Sequence, residues 1–325
     1  MHLAISLNIA ATNGQPALDF GQITSFVREA EAAGVDMVVI SDSAEGLSSS
    51  PFEATTLLAS LATVTDKIGL VASASTVAHQ PYNLARRFAS LDIISHGRAG
   101  WHATMAQGPR EAANFSRPEG FSDTDFRRRS EEYIGIVQGL WQGWDADALL
   151  FDKTGGRFHD PEKMHLLDHK GEFFSVRGPL NVARSPQDAP VVVLSGLTEA
   201  DFDIAARTAD VILLESGSAE SAKTRFDDLR RRATAAGRDP DAVKVLTNIS
   251  FAPDDEPAAS MDRLETQLRA KSCDGFNIQL PAQHSALDDF ADRVLPALRQ
   301  RGLVREGYRG ATLRSHLGLA GGGDQ

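Results

Sequence analysis

Apolar positions in this chain fall into two kinds of run that take turns: short runs of strand character and longer runs with helical spacing. His2–Ile9 alternates and is rich in β-branched residues, and Phe20–Ala33 follows with helical spacing and stops at Gly34. The couplet then recurs. The pattern predicts further strands over Asp36–Ile40, Ile68–Ala74, Arg98–His102, Val191–Leu194, Val211–Leu214, Ala242–Ser250 and Gly275–Leu280. It predicts helices between and after them over Pro51–Ala62, Tyr82–Ile94, Asp125–Trp144, Glu199–Thr208, Ala219–Ala236, Ala258–Lys271 and Leu287–Arg301. In the fourth helix Phe126, Tyr133, Val137, Leu140 and Trp144 share one stripe.

Alternating strands and helices require a parallel sheet. Eight such units without a second composition class favour a single TIM-type (β/α)8 barrel over residues 1–320, with a doubly wound open sheet as the structural alternative. The tail, residues 321–325, is expected to be disordered. The rhythm pauses once, after the fourth helix. Asp145–Ala189 is rich in Gly, Pro, Asp and His, and reads as a long excursion with one hairpin near Phe173–Val176. An excursion of this length is expected to be functional or a packing arm.

Composition narrows the function classes. Of 325 residues 42% are hydrophobic, enough for one large core. A formal charge of -11 repels phosphate backbones and anionic lipid, which argues against nucleic-acid and membrane partners. Cys273 is the single cysteine, so an internal disulfide is impossible, and that usage suits a cytoplasmic location. No apolar run reaches the roughly 18 residues of a membrane span. Met1–Ile9 reads as a strand rather than a secretory leader.

In a barrel of this kind the active site lies at the C-terminal ends of the strands. The residues that fall there are Asn8, Asp42, Ser73–Thr76, Trp101–His102, Ser195–Thr198, Glu215 and Ser250. Ser195-Gly196-Leu197-Thr198 ends a strand and opens a helix, which makes it a seat for a phosphate, or simply a helix cap with a glycine turn. Asp42 can accept hydrogen bonds from a ligand or cap a turn. Trp101 and His102 suit a flat ligand or acid–base work, although a satisfied, half-buried histidine is as common. Arg127–Arg129 read as a solvated basic face, unless one guanidinium turns to an anion at the mouth. His159, His165 and His169 cluster with Asp160, Glu162 and Asp168 but lack zinc-type spacing, so no metal is expected. No nucleophile elbow, P-loop or Rossmann glycine fingerprint follows a strand.

Longer motifs add a resemblance. Ser75-Thr76 with Gln80-Pro81-Tyr82-Asn83-Leu84-Ala85-Arg86-Arg87-Phe88, and Leu91-Asp92-Ile93-Ile94-Ser95-His96-Gly97-Arg98-Ala99-Gly100-Trp101, are the core of it. Asn114-Phe115, Gly139–Trp144, Phe173 through Arg177–Asn181 to Pro186-Gln187, Ala205–Arg207, Ala209-Asp210, Asp274–Asn277 and Thr312–Arg314 with Leu317–Leu319 extend it over nearly the whole chain. The chain resembles the nitrilotriacetate, pristinamycin and dibenzothiophene-sulfone monooxygenase group of the bacterial luciferase-like superfamily. The resemblance implies a TIM-type barrel that takes reduced FMN from a separate flavin reductase and oxidises a small organic substrate with O2. It also implies a homodimer.

Carried over position by position, it assigns flavin contacts to Asp42, Ser73, Trp101, His102, Asp123, Arg127, Gly196, Leu197 and Thr198. His102, which stands where the family has asparagine, is the candidate catalytic group. Asp123 and Arg127 replace a histidine and a tyrosine. Arg127 is then expected to supply charge to the phosphate, with Asp123 pairing to it or capping the helix. The family's large insertion after the seventh strand is cut to Ala252–Pro257, which predicts a more open site or one closed by a partner. Two other readings stay open: an oxidoreductase using deazaflavin F420, and a non-catalytic flavin-binding homologue or partner subunit.

Overall fold

Eight parallel strands pair in chain order and close on themselves in a computed structural model that describes residues 1–9, 17–42, 50–115, 119–250, 257–281, 284–305 and 307–321. They are β1 (His2–Asn8), β2 (Met37–Ser41), β3 (Gly69–Ser73), β4 (Ala99–Thr104), β5 (Val191–Ser195), β6 (Val211–Leu214), β7 (Lys244–Ser250) and β8 (Gly275–Pro281). Closure is made by β1 against β8, with His2 opposite Gly275 and Asn8 opposite Pro281. That pairing removes the open doubly wound sheet, and the TIM-type barrel stands.

The main helices are α1 (Phe20–Ala32), α2 (Ala54–Leu61), α3 (Pro81–Ile94), α4 (Asp123–Trp141), α5 (Phe202–Thr208), α6 (Ala219–Ala235) and α7 (Pro257–Arg269), with a short extra helix at Pro109–Asn114. The last helical stretch is split into His284–Asp289, a π turn at Phe290–Val294, and Leu295–Gln300. Local chemistry sets their starts. Asp19 and Gln22 form a capping box on α1, Pro81 opens α3, and Ser122 accepts the N–H of Asp125 at 3.1 Å to cap α4. The second helix starts three residues later than its pattern predicts, because Glu53 caps it by accepting from Thr56 N–H at 2.7 Å.

Side chains alternate across each strand and so form two cores. One packs the outside of the barrel against the helices. The other fills the barrel with Ala4, Met37, Val39, Val71, Val191, Val193, Val211, Leu213 and Leu246. Leu313, Leu317 and Leu319 join this inner core from a short C-terminal helix, Leu313–His316. That segment closes the end of the barrel where the strands begin. Gly69 and Gly100 leave the room that Leu313 fills, since a Cβ on Gly69 would run into Leu313 Cδ1. Arg314 anchors the plug by donating to Asp210 at 2.9 Å and to the Ala189 carbonyl at 2.9 Å.

The excursion after α4 holds two hairpins where the sequence pattern predicts one. His169–Lys170 pairs with Ser175–Val176, as expected, and Leu149–Asp152 pairs with Arg157–His159. Leu150, Phe151 and Phe158 of the unforeseen hairpin are exposed, so it lacks the buried face that makes a strand legible. The expected tail beyond Gly321 and most of the shortened Ala252–Pro257 link lie outside the described residues.

Candidate functional site

The inward alternation continues past the apolar layers to the C-terminal ends of the strands, and there it turns polar. Two residues beyond Ala4 comes Ser6, beyond Val71 comes Ser73, beyond Val193 comes Ser195, and beyond Leu246 comes Asn248. Gly100 on β4 is followed by His102 in the same way. Opposite Ser73 across the β3–β4 ladder stands His102.

His102 bridges two serines. Its Nδ1 lies 2.6 Å from Ser73 Oγ and its Nε2 lies 2.7 Å from Ser195 Oγ. Burial removes water from the ring and lowers its pKa to about 4, so the imidazole is neutral at physiological pH. A neutral ring has one N–H and one bare nitrogen. In either tautomer, therefore, one serine donates to the ring and the other accepts from it. The accepting serine keeps its hydroxyl proton for a ligand, and the donating serine keeps its lone pairs. The arc across β3, β4 and β5 offers both hydrogen-bond roles at the barrel mouth without carrying charge.

A second group gathers around the turn after β5. Gly196 has φ +68, a conformation that favours glycine, and a Cβ there would lie 3.1 Å from Thr104 Cγ2. Thr198 donates its N–H and its hydroxyl to Asp201 Oδ2 at 2.7 and 2.6 Å. In the phosphate seat expected at this turn, the Thr198 hydroxyl proton is thus already committed. Arg127 supplies what is missing. Its Nε donates to Asp201 Oδ1 at 2.8 Å, which brings the guanidinium to the turn and leaves Nη1 and Nη2 for another anion. Leu197, between them, is half-buried against the main core.

Asp42 follows β2 and is half-buried. It accepts the N–H of Ala54 at 3.0 Å, and burial raises its pKa from the ordinary carboxylate value. It therefore helps cap α2 while standing at the mouth.

Other candidates point elsewhere. Trp101 is fully buried on the outer side of β4, where it packs on Phe88, Tyr133 and Trp141 and donates to the Ala74 carbonyl at 2.9 Å. It supports His102 from behind and cannot reach a ligand in the mouth. Asp123 is exposed in the first turn of α4; Ser122 holds the cap and Asp201 holds Arg127, so neither expected role falls to Asp123.

The basic run is not a solvated face as a whole. Arg128 is exposed beside Glu172, whereas Arg129 donates to the Thr76 carbonyl at 2.9 Å and lies over the Phe121, Tyr133 and Phe174 rings. The excursion histidines disperse: His165 meets Asp145 at 3.0 Å, His169 meets Glu132 at 2.9 Å, and His159 packs edge-on to Trp144.

Sequence reasoning placed Glu215 at the strand ends but missed Ser6, Asn248 and Asn277 beside it. Ser6 donates to Asn277 Oδ1 at 3.0 Å, Asn277 Nδ2 donates to Asn248 Oδ1 at 2.8 Å, and Asn248 Nδ2 donates to Glu215 Oε1 at 2.8 Å. The signal was present as polar residues on the inward phase of otherwise apolar strands.

Residues 1–310 match the family model described as luciferase-like monooxygenase. The chain belongs to the luciferase-like monooxygenase family. It is thereby a flavin-dependent oxidoreductase. N-acetyl-S-(2-succino)cysteine monooxygenase of Bacillus subtilis (strain 168) is 32% identical, covering 93% of this chain and 90% of that protein. One of the pristinamycin IIA synthase subunits of Streptomyces pristinaespiralis is 37% identical, covering 94% and 91%. The first alignment runs over 399 positions and the second over 306, so the pristinamycin protein shares this chain's compactness. Among solved structures, the EDTA monooxygenase of Chelativorans sp. BNC1 superposes with a TM-score of 0.85 at 24% identity, covering 98% of each chain. An F420-dependent secondary alcohol dehydrogenase scores 0.67 at 16% identity, covering 92% of this chain and 99% of its own. These two likenesses concern the fold.

Proposed function

We propose that this chain is the oxygenase component of a two-component monooxygenase, which takes reduced FMN from a separate flavin reductase and oxidises a small organic substrate with O2. The observation that carries the reading is Arg127, drawn by Asp201 to the Gly196–Thr198 turn beside the Ser73–His102–Ser195 arc. A phosphomonoester and a polar ring edge need those two features side by side.

The residues present fit the cofactor. Arg127 would hold the phosphate through Nη1 and Nη2, and the N–H groups at the start of the Glu199–Asp201 turn would add donors. Ser73, Ser195 and His102 would contact the ring system, with Asp42 on the neighbouring strand end. Bound reduced flavin supplies the electrons that activate O2. The chain's own part is to position the ring, to keep His102 uncharged beside it, and to limit water at the mouth.

Side-by-side anaerobic titration with reduced FMN and reduced F420 tests the reading. Preference for FMN is expected, and a preference for F420 would transfer the chain to the deazaflavin oxidoreductases.

The compactness shared with a protein named as part of a synthase favours one second reading, in which the chain needs a partner to complete its site. Substrate-dependent oxygen consumption by this chain with only a reductase present rules that reading out.

A further inference from the structure

The half of the barrel mouth opposite His102 carries a hydrogen-bond chain that runs one way. Every donor in it points towards Glu215: Ser6 to Asn277, Asn277 to Asn248, Asn248 to Glu215 Oε1. Asn248 and Asn277 are buried, at 4% and 1% exposure, whereas Glu215 is exposed at the rim. A relay of buried amides ending on a carboxylate rim is expensive to build unless its end is used, because each amide must find partners away from water.

Glu215 is also held from behind. Arg225 Nη2 donates to its main-chain carbonyl at 3.0 Å rather than pairing with its carboxylate. Among the described residues no cation lies within ion-pair distance of that carboxylate, and Asn248 is the one hydrogen-bond donor to it. The inward groups at this level, Ser73, His102 and Ser195 across the mouth and Asn248 and Asn277 beside Glu215, are all neutral. Among the described residues of this half of the mouth, the Glu215 carboxylate therefore stands beside neutral amides, while Arg127 is held on Asp201 across the mouth.

We propose that Glu215 is a recognition group for a substrate ammonium, so that this chain acts on an amine. The proposal rests on the reading of this mouth as the substrate pocket. A protonated amine brings to Oε2 both the missing positive charge and an N–H donor. A carboxylate in the same place brings repulsion and no donor. A neutral alcohol brings a donor but no charge.

Three probes of one shape separate these cases: benzylammonium, benzyl alcohol and benzoate. Their binding to the FMN-loaded protein is read from the flavin absorbance, and their binding to the flavin-free protein from ligand-observed saturation-transfer NMR. Benzylammonium is expected to bind at least tenfold more tightly than either of the others. Glu215→Gln is expected to abolish that preference, and Glu215→Asp, which keeps the charge, to retain part of it.

Equal affinities in the wild-type protein, a preference for benzoate, or an undiminished preference in Glu215→Gln would overturn the proposal. Its fate is separate from that of the flavin reading. Saturable FMN binding without amine preference defeats the amine proposal alone. Amine preference by NMR in a protein that binds no FMN defeats the flavin reading alone.

Discussion

In the proposed reading Arg127 and His102 divide the labour at the mouth, one by charge and one by staying uncharged. Replacing Arg127 with alanine removes charge-assisted hydrogen bonds worth about 1.5–3 kcal/mol, or roughly ten- to a hundredfold in affinity. The expected result is specific: FMN affinity falls by that factor while riboflavin, which has no phosphate, binds as before. Equal losses for both ligands would place Arg127's role outside phosphate binding. His102 makes a pH prediction. Its folded pKa of about 4 lies below the ordinary 6.5, so between those values the unfolded chain binds a proton that the folded chain refuses. Stability is therefore lost as pH falls through that window. His316, also near 4 through burial, acts in the same direction, and Asp92, raised to about 6 by burial, acts against both between 3.8 and 6. Urea unfolding of wild type and His102→Asn at pH 7 and pH 4.5 isolates one share of this; the variant is expected to lose less stability between the two. None of these partnerships was legible in the sequence. Ser73 and Ser195 lie 29 and 93 residues from His102 and meet it through strand register alone.

At the scale of elements, regular periodicity was read correctly and short elements were not. The barrel strands are apolar on both faces, and their runs were plain. Leu313–His316 has four residues, too few to show a helical period, yet it plugs the barrel. Deleting its central side chain by Leu313→Ala leaves a cavity beside Gly69 and Gly100, at a cost of about 2–5 kcal/mol. A lowered unfolding midpoint in urea, with an unchanged slope, is the expected readout. Glu132 plays a comparable role for the second hairpin. Its carboxylate accepts from His169 Nε2 at 2.9 Å and from the N–H groups of Phe173 and Phe174 at 3.0 and 2.9 Å. Burial by itself would raise its pKa, but these hydrogen bonds and His169 bring it below the ordinary value. Glu132→Ala frees those donors, and faster proteolytic cutting within residues 165–180 is the expected consequence. Cutting at the wild-type rate would show that the hairpin is held by other contacts.

For the whole molecule, the division between the two barrel ends explains what the fold is for. The end where the strands begin is sealed by Leu313, Leu317 and Leu319, and by Arg314 on Asp210. The opposite end gathers Ser73, His102, Ser195, Arg127 and Glu215 from strands, a helix and a loop far apart in sequence. Stability and chemistry are thus kept at opposite ends, as the architecture allows. The resemblance in sequence pointed to the strand ends where the polar groups gather, but it misassigned the Trp101 side chain there. It placed Trp101 and Asp123 among the contacts; Trp101 faces the helix layer, whereas Asp123 is exposed in the first turn of α4 and stays open to a ligand. Alternation along β4 decides the first case, since adjacent residues of a strand cannot share a face. The flavin reading of the mouth depends on its binding reduced FMN. Anaerobic titration of the purified chain with reduced FMN, followed by tryptophan fluorescence and absorbance, is predicted to saturate at one flavin per chain, with riboflavin binding more weakly. Failure of FMN to bind saturably in either redox state would contradict it.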